Sequence, residues 1–154
     1  AQLVILLTDP GIGGARKVMV GVLNNAPYGN KYRRVGAGRN DDNVIVLRLA
    51  EMYLIRAESR ANQGKITEGL NNLNAVRSRA DVPVATASTK EELLLLIENE
   101  RRVEFAFEPH RWFDLIRTNR AAAVLGVTDQ KKYVFPIPAN EVLSNKNLVQ
   151  NEGY

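Results

Sequence analysis

The stretch ENERRVEFAFEPHRWFDLIRTN, residues 98 to 119, sets nine charged side chains among seven large apolar ones. Arg101, Glu104, Glu108, Arg111 and Asp114 are the residues whose types and spacing invite a chemical reading, because paired carboxylates beside arginines suit acid–base work. Glu104 and Glu108 also stand four apart, a spacing that two metal ligands on a helix would use. No second acidic or histidine motif completes a cage, and His110 is the only histidine. Every acid in the stretch has an arginine within four positions, which favours ionised carboxylates and suits them poorly to donating a proton. Ordinary surface pairs are a third possibility.

Helical geometry separates these readings. Stepping about 100° per residue from Ile97 puts Arg101 about 40° to one side, Glu104 about 20° to the other and Glu108 about 20° back. Leu93 falls in the same sector, so the charges continue an apolar stripe. A solvated face would place them opposite it. The five residues are therefore expected to form a structural ionic network, substantially buried, with no catalytic residue and no metal among them. Pro109 should break the helix and open the turn PHRWFDLIR from its first position, with Asp114 and Arg117 spaced for pairing. Trp112 and Phe113 are expected in the core.

The elements that position this stretch can be read from its flanks. LRLAEMYLIRAESRANQG carries Leu47, Ala50, Leu54, Ala57 and Ala61 on one helical face, with Gly64 as the stop. ITEGLNNLNAVRSRA follows, with Thr67 as its expected N-cap and Leu70, Leu73, Val76 and Ala80 inward. DVPVATA breaks the pattern. STKEELLLLIENERRVEFAF then opens on Thr89 and Glu92 in a capping-box arrangement. Two helices meeting at a glycine within residues 47–80 form one tetratricopeptide-type unit, although Gly69 replaces the usual small helix-former. Roughly three such units are needed for a stable stack, so either residues 1 to 46 cap this pair or, the favoured reading, further repeats are missing from the chain. Before residue 47 the chain is loop-rich: DPGIGG, NNAPYGN and GAGRNDDN read as turns, with strand-like pieces at Val18 to Leu23 and Val44 to Leu47. After residue 120, Pro136 and Pro138 forbid a regular central strand, and a helical turn is expected near Glu141 to Leu143. Tyr133, Val134, Phe135, Ile137 and Leu148 make that tail too apolar to hang free, so it should pack on the helices.

Composition narrows the function classes. The 154 residues are 45% hydrophobic and 25% charged, enough for one domain with a sizeable core. With no cysteine there is no disulfide frame, thiolate metal site or cysteine nucleophile. The net charge of +4 raises nucleic acid as a partner, but Arg16, Lys17, Lys31, Arg33, Arg34 and Arg39 are spread along the chain and later arginines alternate with glutamates. No nucleic-acid partner is expected. Leu3 to Leu7 is too short for a signal or a membrane span.

Five segments in this order, VLRLAEMYLIRAES, LNAVRSRA, ENERRVEFAFEPHRWFDLIR, FPIPANEV and NLVQNEGY, resemble the successive motifs of the SusD/RagB family across about residues 31 to 154. Pro109 stands where the family usually has glycine and Glu152 where it has proline; both fall at turns. The resemblance implies a mainly α fold with tetratricopeptide-like helix pairs, irregular loops and an extended C-terminal tail. It implies a non-enzymatic, cofactor-free surface lipoprotein of the outer membrane. Such a protein binds an oligosaccharide or other nutrient and passes it to a SusC-like TonB-dependent transporter. By this resemblance the chain is the C-terminal part of a longer protein, and the lipid anchor is absent from it. Ligand contacts vary within the family. Tyr28, Asn30 and Tyr32, in APYGNKYRR, are the loop-borne candidates, since a flat ring stacks on a pyranose face while amides bond its edges. Two rival readings are a protein–protein adaptor with a groove for a peptide and a glycoside hydrolase with two acids facing an open cleft.

Overall fold

The computed structural model describes residues 46–154, together with the backbone of two short strands, Val20–Leu23 (β1) and Ala26–Gly29 (β2). It divides into two units, Ala1–Glu108 and Pro109–Tyr154. The fold is mainly α. β1 and β2 pair antiparallel, with Val20 opposite Gly29, Gly21 opposite Tyr28 and Leu23 opposite Ala26. NNAPYGN, expected to be a turn, thus supplies a strand. Its proline is tolerable because a two-stranded ribbon leaves edges that need no N–H donor. The turns expected at DPGIGG and GAGRNDDN lie outside the described residues.

The first unit is built on three helices: α1 (Leu49–Asn62), α2 (Ile66–Arg79) and α3 (Lys90–Glu104). All three pack against one another. Leu54, Ala57 and Ala61 of α1 meet Leu73 and Val76 of α2, and Leu93 and Ile97 of α3 close the core with Phe105. Leu47 does not belong to this face. It precedes the helix and is 75% exposed, because Arg48 ahead of α1 is extended at φ −151° and ψ 155°.

The α1–α2 joint is a Schellman closure: Gly64 N–H donates to the Ala61 carbonyl and Lys65 N–H to that of Arg60, with Gly64 at φ +75°. That closure consumes the connection. α2 begins at Ile66 with Lys65 as N-cap, so Thr67 lies inside the helix and caps nothing. Gly69 has a packing reason. A Cβ there would sit 2.8 Å from Leu93 Cδ2 and 3.1 Å from the Ala57 carbonyl oxygen, so its absence lets the helices approach closely. α2 ends in the same closure, with Asp81 at φ +57° and Val82 N–H on the Arg77 carbonyl. Asn74 then ties down the next loop, its amide exchanging hydrogen bonds with Ala85 N–H and C=O at 2.7 and 3.0 Å.

α3 opens with the expected capping box: Glu92 N–H donates to Thr89 Oγ1, and Thr89 N–H to the Glu92 carboxylate. It is shorter than its apolar pattern suggests and stops at Glu104, with Phe107 at φ +66°. Pro109 therefore neither breaks this helix nor starts the next, which has His110 as its N-cap.

The second unit contains α4 (Arg111–Arg117), α5 (Ala121–Leu125), a 3-10 turn at Gln130–Tyr133 and α6 (Ala139–Ser144). Leu115 and Ala121 are fully buried. Trp112 meets Tyr133 edge-on at 6.3 Å and Phe135 at 6.1 Å, so these two rings reach α4, while Val134 and Phe135 stay 52% and 61% exposed. Phe113, expected in the core, is 59% exposed, since a seven-residue helix that buries Asp114 and Leu115 turns it outward. Between Val134 and Pro138 the backbone is served by side chains. Gln150 both accepts from Ile137 N–H and donates to Ile137 C=O at 2.8 Å, Asn151 donates to the Phe135 carbonyl, and Tyr154 to that of Val134. The FPIP and NLVQNEGY segments meet in this way.

Candidate functional site

The charged stretch resolves into a cluster at the C-terminal end of α3. Arg101, Glu104 and Glu108 are buried at 6%, 0% and 8% exposure. The helical stripe brings Arg101 and Glu104 inward. Glu108 arrives by another route, carried past the end of α3 by the turn at Phe107. Arg48 meets both acids. Its Nη1 donates to Glu104 Oε1 at 2.5 Å, its Nη2 to the Glu104 carbonyl at 2.6 Å and its Nε to the Glu108 carboxylate at 3.1 and 3.2 Å. Arg79 Nη2 reaches the same Glu104 Oε1 at 2.5 Å from the end of α2. The Arg48 guanidinium also lies 4.5 Å from the Phe105 ring centre, and that of Arg101 lies 4.9 Å from it.

Burial is the largest single influence on Arg48 and lowers its pKa. Hydrogen bonds and charge attraction from Glu104 and Glu108 together outweigh it, so the pKa is held above the ordinary arginine value. A raised basic pKa adds stability that is complete below the unfolded value and is lost only as pH climbs past the folded one.

Two further ion pairs extend the theme. Arg77 Nη1 donates to the buried Glu100 at 2.8 Å while its Nε donates to the Pro83 carbonyl. In the second unit Asp114, 7% exposed, accepts from Arg117 Nε at 2.9 Å, the i,i+3 pair that the spacing predicts. Arg111 is half-buried. The partners of Glu104 and Glu108 found here, Arg48 and Arg79, were missed in the sequence. Each sits in a quoted motif, VLRLAEMYLIRAES and LNAVRSRA, as an arginine beside apolar positions, and that was the available signal.

Of the ligand-contact candidates, Tyr28 stands on β2 opposite Gly21, on a strand where a loop was expected. Asn30 and Tyr32 lie outside the described residues. Among the described residues no three His, Cys, Asp or Glu gather as metal ligands. The Glu104 and Glu108 side chains are 0% and 1% exposed and face guanidiniums, so neither looks into an open cleft.

A family model described as the SusD family matches residues 16–130. The chain belongs to the SusD family. Among curated SusD relatives, a SusD-like protein of Formosa agariphila is 32% identical, the match covering 81% of this chain and 28% of that protein. The starch-binding protein SusD of Bacteroides thetaiotaomicron is 31% identical, over 92% of this chain and 29% of that protein. A solved SusD superfamily protein from Bacteroides thetaiotaomicron superposes with a TM-score of 0.70 at 25% identity, covering 88% of this chain and 32% of that one. A SusD-like protein from Bacteroides fragilis gives 0.61 at 32% identity, covering 74% and 27%. The chain thus spans less than a third of the length of these relatives. Among the described residues no helix is long and apolar enough to cross a membrane.

Proposed function

We propose that the protein to which this chain belongs captures an oligosaccharide or other nutrient at the cell surface. It hands that ligand to a SusC-like TonB-dependent transporter in the outer membrane and catalyses nothing. In this reading the chain is the C-terminal region of a lipid-anchored protein. Family membership carries the proposal, and one relative named above is by name a starch-binding protein. The closed charge cluster supports it, since a hydrolase needs acids that reach its substrate. Arg101, Glu104, Glu108, Arg111 and Asp114 then serve as architecture, and Tyr28, Asn30 and Tyr32 remain candidates for ligand contact.

Calorimetry of the full-length protein against a glycan panel should find a dissociation constant near the micromolar range, about −8 kcal/mol. Chromatography of the same mixtures should find no new products. Turnover that Glu104→Gln or Glu108→Gln abolishes contradicts the reading. Co-purification with the transporter tests the partner.

A further inference from the structure

A pocket of about 410 Å³ opens between the start of α1 and the end of α2, lined by Arg48, Leu49, Ala50, Tyr53, Ala75, Val76 and Arg79. Its volume falls in the range of small-ligand sites, roughly 300–1,000 Å³. Most of the lining is aliphatic. Two polar groups on it have bonding capacity to spare. Arg79 donates one N–H to Glu104, and its other four have no partner among the described residues, although over half of its side chain is exposed. The Tyr53 hydroxyl likewise makes no hydrogen bond among them. Its ring is held by the Arg56 guanidinium 4.9 Å from its centre, which Asn72 fixes through a 2.6 Å bond.

Arg48 and Arg79 supply two positive charges, and Glu104 and Glu108 offset them. Both acids are closed to solvent, whereas Arg79 is more than half exposed and keeps donors to spare beside the pocket. A planar fork with unused parallel donors is matched best by a carboxylate. An apolar wall beside it is matched by a ring with an aliphatic face.

We propose that this pocket binds a six-membered ring bearing a carboxylate, which among carbohydrates is a uronic acid residue. The carboxylate lies on Arg79, and the ring face lies against Ala50, Ala75 and Val76 within reach of the Tyr53 hydroxyl. The uronic acid part rests on the carbohydrate-binding reading above; the carboxylate pocket does not.

The test titrates the 154-residue chain with trigalacturonate, its methyl ester and cyclohexanecarboxylate, following amide shifts of Tyr53, Ala75, Val76 and Arg79. Trigalacturonate should move these amides and bind about tenfold or more tightly than the ester, because the ester has no negative charge to pair with the guanidinium. Arg79→Gln should weaken it about as much, as should Ala75→Phe, which fills the pocket from an exposed position and leaves every charge in place. Arg60→Gln, on a surface pair with Glu68, should leave affinity unchanged. Equal affinity for acid and ester, shifts confined to other residues, or an Arg79→Gln effect below twofold overturns the proposal. A neutral glucan that binds while these signals fail leaves the carbohydrate reading standing and removes the pocket. Cyclohexanecarboxylate seated there while no oligosaccharide binds keeps the pocket and removes the carbohydrate reading.

Discussion

At the end of α3, a fully buried carboxylate is met by guanidiniums from 25 and 56 residues away. In the tail, a stretch of backbone broken by two prolines is met by the neutral side chains of Gln150, Asn151 and Tyr154, 13 to 20 residues away. Both arrangements satisfy polar groups that regular secondary structure leaves unpaired. They differ in what failure costs. A hydrogen bond from an amide group near the surface can be replaced by one to water at about 1 kcal/mol. A buried charge that loses its partner keeps its full desolvation penalty. The cluster ties α3 to α1 and α2 through carboxylates closed to solvent, whereas the tail is held by neutral hydrogen bonds that are part-buried or exposed.

The contrast is broken most directly at Arg48. Arg48→Ala leaves Glu104 and Glu108 without their shared partner and should cost about 3–5 kcal/mol in urea denaturation. A loss under about 1 kcal/mol would place the cluster among ordinary surface pairs. Gly69→Ala comes next. The added methyl group meets the Ala57 carbonyl and Leu93, and overpacking should outweigh the gain in helix propensity, for a net loss of about 1–2 kcal/mol. Gln150→Ala should cost about 1 kcal/mol, with faster hydrogen exchange at Ile137 N–H and unchanged exchange in α1 to α3.

The smallest effect is a pH effect at the start of α3. Backbone N–H groups of Ser88 and Thr89 hold the exposed Glu92 carboxyl below its ordinary 4.5. A depressed acid pKa adds stability that is complete above the unfolded value and is lost as pH falls through the folded one. Glu92→Gln should therefore destabilise the chain at pH 7, and the difference should begin to shrink as pH falls below about 4.5 and vanish below the folded-state pKa. A difference that persists at lower pH would mean that the capping box does not depend on charge.

These regions also differ in how far they could be read in advance. The helix pair, the Gly64 stop and the Thr89–Glu92 box depend on residues within a few positions of one another, so period and cap chemistry were enough. Burial of Arg101 and Glu104 followed from their phase with Leu93. The end of α3 was less legible, because Phe107 takes a left-handed conformation that its residue type does not announce. Thr67 has the residue type of a cap but caps nothing, because the Schellman closure at Gly64 runs directly into α2. The partners of Glu104 and Glu108 were hidden for a different reason. Arg48 and Arg79 meet them only once three helices have packed, and no local spacing encodes that meeting.

A double-mutant cycle on Arg48 and Glu104 tests most directly whether the cluster is architecture. Arg48→Met, Glu104→Gln and the pair are unfolded in urea under identical conditions. The account predicts a coupling free energy of about 2 kcal/mol or more, with the double variant less damaged than the sum of the single ones. Strictly additive losses, with coupling below about 0.5 kcal/mol, would contradict it.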